Sequence, residues 1–377
     1  MLKRKKFSIS LLGLLMITIW LTAVAQAQSS DKTPSAEITT DEMNQSDGLV
    51  FRESPASEQE SIRPLTQEDL LHAEALPMPT LSETEFQQAT SSLLQEPESL
   101  NAVVTDSALP DLDSEELAKQ LYPEAWTVTD VTETAIDERS MNAPSNQNAF
   151  TTYLVNGYTP LQTIHPHRAI GRLYLRKPSS TDWYWCSAAV VGERTVLTAG
   201  HCIYTRGRGW NRDFLFYPAY RYDSVPYGYF TSFSQAAMAE WINSGDFSND
   251  VGVLRMNDKS GHTIRSWVGK LGVARNQGTN RQVHAFGYPG NLWNASYLIA
   301  SADQAWYAGG HILGMGSNMQ HGASGGPWVT SYQPYYAWSG RNIVESVNSF
   351  IYNGSNGVYG PYFDDGNILK LCNWAGC

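Results

Sequence analysis

Apolar residues fall into three regimes along this chain. The first is one continuous run, residues 7–25, led by Met-Leu-Lys-Arg-Lys-Lys and closed by Ala25-Gln26-Ala27. A basic start, an apolar middle and a small-x-small end predict a signal peptide cut after Ala27. The run is also just long enough to span a bilayer as an uncleaved anchor, but its polar interruptions and cleavage pattern favour removal. No second run in the sequence could span a membrane. The second regime, residues 28–130, is rich in Ser, Thr, Glu, Gln and Pro and has little sustained apolar period, so it reads as largely irregular. Short helices are predicted within it at 66–75, where Thr66 and Asp69 form a capping pattern, at 82–94, and at 114–121, where Leu117, Ala118 and Leu121 share one face. Such a segment orders when it docks on something else.

The third regime begins near residue 135. Short apolar or alternating runs at 169–175, 187–191, 195–198 and 251–256 are separated by clusters of Gly, Pro, Asn and Asp. Many short strands with regular turn signals predict an all-β sandwich or barrel rather than βαβ units. The stretch 364–372 predicts a short C-terminal helix with Asp364 and Asp365 at its positive end; calcium ligation is the competing reading of that pair. No internal repeat is visible.

Charge sharpens the division. The net charge of −11 hides 25 acidic against five basic residues over 28–139, and 12 against 17 from residue 140 onward. An acidic segment ahead of a mildly basic domain suggests an intramolecular partner and points away from nucleic acid. The chain has 377 residues, 42% of them hydrophobic, enough for a sizeable core. All four cysteines, Cys186, Cys202, Cys372 and Cys377, lie in the C-terminal half. In an exported chain an even count suggests disulfides, and of the three possible pairings Cys186 with Cys202 and Cys372 with Cys377 close the short local loops. The first loop, of about 16 residues, would contribute roughly 3 kcal/mol. Without C-x-x-C spacing or clustered histidines, neither a metal site nor a cofactor is expected.

Three short motifs carry chemistry. Gly322-Ala-Ser-Gly-Gly-Pro327 suits a nucleophilic serine, because a glycine-rich turn exposes Oγ of Ser324 and lets the N–H groups of Gly322 and Ser324 face one point as an oxyanion hole. An ordinary glycine-rich hairpin would look the same on its own. Thr198-Ala-Gly-His-Cys202 supplies a general base, His201, beside a cysteine that can immobilise its loop. The carboxylate needed to orient that imidazole is Asp250, at the head of the apolar run 251–256, with Asp246 in the preceding polar loop as its competitor.

These motifs, in the order His, Asp, Ser, resemble the trypsin/chymotrypsin clan over residues 131–377, an order that matches neither the α/β-hydrolases nor the subtilisins. The resemblance implies a chymotrypsin-like double β-barrel with a short C-terminal helix and hydrolysis of peptide bonds through an acyl-enzyme. Within the clan the sequence is most similar to the bacterial branch that includes the glutamyl endopeptidases. Trypsin-like enzymes carry Asp before the serine as part of an activation switch, and Ala323 stands there instead. Residues 134–139 resemble the start of the mature domain in the glutamyl branch, which places a processing boundary within 128–145. By the same resemblance Asn318, six residues before the serine, lies at the base of the primary specificity pocket, with Ser349 and Phe350 on the neighbouring strand, so strong preference for Arg or Lys is not expected. The strand 342–350 lacks the histidine that glutamyl specificity uses. His311 and His321 could compensate, although loop histidines are commonplace. Trp183, Tyr184, Trp185 and the tyrosines of 217–229 suit either a substrate cleft or strand-edge packing.

The resulting expectation is a secreted, monomeric serine endopeptidase in three parts: signal peptide 1–27, acidic pro-segment 28–130 and catalytic domain 131–377. Its partners would be protein or peptide substrates and its own pro-segment, without stable membrane association after signal cleavage. The competing reading is a protease-like extracellular binding protein without turnover.

Overall fold

A computed structural model describes residues 44–92, 95–126, 150–155, 163–221, 224–337, 339–353 and 355–377. The predicted signal peptide and the processing boundary within 128–145 lie outside the described residues. Among the described residues no helix is long and apolar enough to cross a membrane.

Strands Ile170–Arg176 and Trp183–Val190 are buried along nearly their whole length, because in a closed sheet one side faces the core and the other is covered. They pair antiparallel, with Leu173 opposite Cys186. Continuing through Thr195–Thr198, Gly252–Met256, Phe230–Met238 and Arg212–Pro218, the sheet returns to Ile170–Arg176 and closes as a six-stranded barrel. Closure removes the exposed edges that an open sheet of this apolar content would present. Leu173, Leu197, Leu215, Val253 and Leu254 of these strands have no exposure, some facing the barrel interior and the others covered on its outer side, within one buried cluster.

The second half contains a seven-stranded sheet, including Gln282–Gly287, Pro327–Thr330 and Ile343–Val347, and a five-stranded sheet, including Ile312–Gly316, Phe350–Tyr352 and Gly357–Pro361. Val283, Ala285, Leu313, Met315, Trp328 and Val358 from both sheets share a second buried core. Four predicted strand runs overlap Ile170–Arg176, Trp183–Val190, Thr195–Thr198 and Gly252–Met256, the second of these starting four residues earlier than its run. The C-terminal helix starts later than its sequence suggests, at Ile368–Ala375, because the Asp364 carboxylate accepts from the N–H groups of Gly366 (2.7 Å) and Asn367 (3.0 Å) and holds a turn first. Asn367 then caps the helix through the Ile368 N–H.

The described residues of the acidic segment are folded against this body. The expected helices are Gln67–His72, Glu83–Ser91 and Leu112–Leu121. Thr66 with Asp69 and Ser82 with Glu85 form reciprocal capping boxes, which anchor helices too short to persist alone. Short strands add to edges of the body: Leu49–Glu53 beside Phe230–Met238, and Ala102–Thr105 beside Gly272–Arg275. Ion pairs across this contact include Glu115 with Arg168 at 2.7 Å and Asp111 with Arg265 at 2.6 Å.

Candidate active site

Strand pairing explains why His201 and Asp250 meet. Gly252, two residues after the carboxylate, lies opposite Thr198, three residues before the histidine. The chain leaving Thr195–Thr198 turns into the helix Gly200–Ile203, and Asp250 ends the 3-10 turn Phe247–Asn249. Both groups are thereby delivered to one end of the barrel. Asp250 has no exposure and His201 is 8% exposed. The carboxylate grips the histidine twice: Oδ1 accepts from the His201 backbone N–H at 2.7 Å, and Oδ2 lies 2.8 Å from Nδ1. Ser349 Oγ donates to the same Oδ2 at 2.5 Å. A buried carboxylate needs such donors, since leaving it unpaired would cost several kcal/mol. With Nδ1 committed to the carboxylate, Nε2 is the atom left for proton transfer.

The Cys186–Cys202 disulfide ties the histidine's helix to the barrel strand Trp183–Val190. The two sulfurs lie close to His201, but they are bonded to each other and are not thiolate ligands for a metal. Cys372 and Cys377 form the second bridge, at the end of the C-terminal helix.

The serine's turn, residues 322–326, is held from both flanks. Ser187 Oγ donates to the Gly322 carbonyl at 2.9 Å, and its N–H donates to the Ser324 carbonyl at 2.8 Å. On the other side Asn348 donates through Nδ2 to the Ala323 carbonyl at 3.0 Å, and its own carbonyl accepts from Gly325 N–H at 2.8 Å. Two glycines are required here. Gly322 has φ +87°, and a Cβ on it would lie 2.4 Å from Trp185 Nε1; Gly325 has φ +78°, and a Cβ on it would lie 1.9 Å from Thr198 Oγ1. Ser324 itself is fully buried. Neither its Oγ nor His201 Nε2 finds a hydrogen-bond partner among the described residues.

The remaining candidate residues are dispersed. Asp246 accepts from Ser248 N–H (2.9 Å) and Oγ (2.7 Å) and caps its own turn, away from His201. Asn318 Oδ1 accepts from Thr152 Oγ1 at 2.8 Å. The side chain of Ser349 faces Asp250, and the ring of Phe350 packs on Phe247 and Tyr359, with centroids at 4.7 and 5.2 Å. His311 is bound to Asp364 at 3.1 Å, whereas His321 Nδ1 accepts the Met78 N–H at 2.8 Å. Trp185 is stacked under Arg172 at 3.9 Å and donates to the Tyr288 carbonyl, while Tyr217 receives the Leu65 N–H at 3.4 Å, beneath the acidic segment.

Sequence reasoning missed Ser187 and Asn348. Ser187 is a polar residue inside the otherwise apolar stretch 185–191, and that local break in pattern was the available signal; Asn348 stands among Glu345, Ser346 and Ser349, where no such break marks it. It also missed that residues 74–81 of the acidic segment lie across the site. Gly322 N–H donates to the Leu76 carbonyl at 3.1 Å.

Comparison with known proteins agrees with this geometry. The chain is 28% identical over 146 residues to an extracellular metalloprotease of Bacillus subtilis, covering 37% of this chain and 46% of that protein. It is 26% identical over 218 residues to the glutamyl endopeptidase of Bacillus licheniformis, covering 56% and 64%. The chain thus spans between about half and two-thirds of the length of these relatives. Among solved structures, a thermostable serine protease, AL20, from an extremophilic microorganism superposes with a TM-score of 0.50 at 29% identity, covering 55% of this chain and 97% of that one. The closed barrel, the mostly β second half and the C-terminal helix are those of the chymotrypsin-like fold. The Trypsin family profile matches residues 161–364, more than half of the sequence, and by that match the chain belongs to the trypsin family.

Proposed function

We propose that this protein is a secreted serine endopeptidase made as a precursor, with Ser324 as nucleophile, His201 as general base and Asp250 as the group that orients it. The observation that carries the reading is the doubly bonded His201–Asp250 pair beside a glycine turn that aims a backbone N–H into the cleft. In the proposed reaction Ser324 Oγ bonds to the substrate carbonyl carbon as its proton passes to His201 Nε2. The N–H groups of Gly322 and Ser324 receive the negative oxygen, each donor being worth about 10²- to 10³-fold in rate. The C–N bond then breaks, the amine leaves with the proton from His201, and water resolves the acyl-enzyme by the same steps in reverse. The cation that forms on His201 is stabilised by the buried Asp250 carboxylate. The extracellular character of one relative and the leader-like start of the chain support secretion. The acidic character of residues 28–130 and the packing of their described part on the body support a pro-segment.

The test is covalent labelling. A fluorophosphonate should label the processed protein and fail to label Ser324→Ala; equal labelling of both would remove the nucleophile. Casein hydrolysis that disappears in His201→Ala would exclude a silent binding protein. Amino-terminal sequencing of the exported form should find a start within 128–145, and a start at 28 would make the acidic segment a permanent spacer.

A further inference from the structure

The most informative feature outside the proposed triad is the path of residues 74–81. Glu74–Ala75 pairs with the barrel strand Trp183–Val190, Ala75 opposite Trp185, and Thr80–Leu81 pairs with Phe350–Tyr352, Thr80 opposite Ile351. Both pairings are parallel. Between these anchors the chain is tied to the cleft at each step: Leu76 N–H donates to the Trp185 carbonyl (2.9 Å), Gly322 N–H to the Leu76 carbonyl (3.1 Å) and Ile351 N–H to the Pro79 carbonyl (3.0 Å). The Met78 N–H donates to His321 Nδ1 at 2.8 Å. The segment therefore bridges both halves of the molecule, from Trp185 across Gly322 of the serine's turn to Ile351.

Its register does not suit cleavage. A substrate must present the carbonyl in the oxyanion hole and the side chain in the primary pocket from one and the same residue, because the pocket selects the residue whose carbonyl is attacked. Here the carbonyl at Gly322 belongs to Leu76, whereas the buried side chain is that of Met78, 2% exposed and in one apolar cluster with Met319 and Ala323. The intervening residue is Pro77, so the bond that follows the Leu76 carbonyl is a tertiary amide, whose nitrogen carries a ring carbon in place of a hydrogen. Pro79 removes a second N–H from the strand.

We propose that residues 74–81 are a built-in inhibitor that occupies the substrate cleft out of register, and that Met78 fills the primary specificity pocket in place of a substrate side chain. The proposal rests on the reading of Ser324 as nucleophile and extends it to the substrate: the pocket takes a flexible apolar side chain of Met or Leu size. Met319, next to Asn318 at the pocket base, supplies an apolar wall.

The test uses the full chain, isolated before cleavage, beside the processed protein. The fluorophosphonate should label intact wild type at least about tenfold more slowly than processed protein, because the open cleft is a minor population. Met78→Asp puts a carboxylate among apolar groups and should raise labelling of the intact chain toward the processed rate, while Leu112→Ala, on an exposed face of the same segment, should not. Hydrogen exchange in unmutated intact protein adds a measurement that needs no variant. Slow exchange of the Leu76 and Met78 amides is expected, and exchange at free-peptide rates would overturn the proposal. So would equal labelling of intact and processed wild type, or a new amino terminus at Pro77. Processed wild type that does not label at Ser324 would defeat the peptidase reading itself. In a peptide library, cleavage mainly after Met and Leu supports the pocket assignment, and cleavage mainly after Glu, Arg or Lys overturns it.

Discussion

Glu345 offers a quantitative test of the second core. It lies in strand Ile343–Val347, which runs directly into Asn348 and Ser349, and it is only 3% exposed. Neither carboxylate oxygen has a hydrogen-bond partner among the described residues, and the nearest cation is Arg281 Nε at 3.6 Å. Burial outweighs the attraction of Arg281 and pushes the carboxyl up from its ordinary 4.5 to about 7. Below pH 4.5 the group is protonated whether the chain is folded or not, and it costs nothing. As pH rises through the interval to 7 the unfolded chain ionises freely and the folded chain does not, so stability falls with rising pH. At 1.36 kcal/mol per pH unit the loss is about 3 kcal/mol, complete above pH 7. Glu345→Gln keeps the shape and removes the titration. In urea denaturation the variant should match wild type within about 0.5 kcal/mol at pH 4.5 and exceed it by about 2–3 kcal/mol at pH 8. A difference that is the same at both values would show that Glu345 does not hold its proton, and the argument from burial would fail.

The remaining predictions concern the site and its cover. Ser349→Ala removes a donor to a buried charged group, so kcat should fall roughly tenfold to a hundredfold with KM little changed; an unaltered kcat would make that hydrogen bond irrelevant to orienting His201. Replacing both Cys186 and Cys202 by Ala should lower unfolding free energy by about 3 kcal/mol and reduce peptidase activity, since one bridge serves both the barrel and the histidine's helix. The separated acidic segment should bind the processed domain roughly fivefold more weakly when salt is raised from about 0.05 to 0.5 M, the contribution of two partly exposed ion pairs, Glu115–Arg168 and Asp111–Arg265. Affinity that ignores salt would assign the contact wholly to strand pairing and apolar packing.

Much of this architecture was legible in the sequence because its signals are local. The strand at Thr195–Thr198 coincides with its apolar run, since β-branched and aliphatic residues bounded by turns have few other solutions. Capping boxes at Thr66 and Ser82 are likewise readable, each being written within four residues. The helix expected over 66–75 nevertheless stops at His72, and Glu74–Ala75 becomes a strand, because Tyr184 and Trp185, in the part of their strand that Thr195–Thr198 does not pair with, offer backbone partners that local propensity does not register.

The same distinction explains why the cover of the cleft stayed hidden while the motifs beneath it did not. A glycine turn around a serine has a compositional signature, because only glycine tolerates φ near +87° with Trp185 packed against it. Leu76, by contrast, reaches the site through its carbonyl and N–H, groups that every residue but proline possesses, and pairs with residues more than 100 positions away. Only the two prolines, Pro77 and Pro79, mark the segment as one that resists both helix and regular strand, and that mark is shared with any linker. Backbone recognition of this kind tolerates side-chain change at most positions. The residue that should tolerate it least is Met78, whose side chain is buried in the pocket.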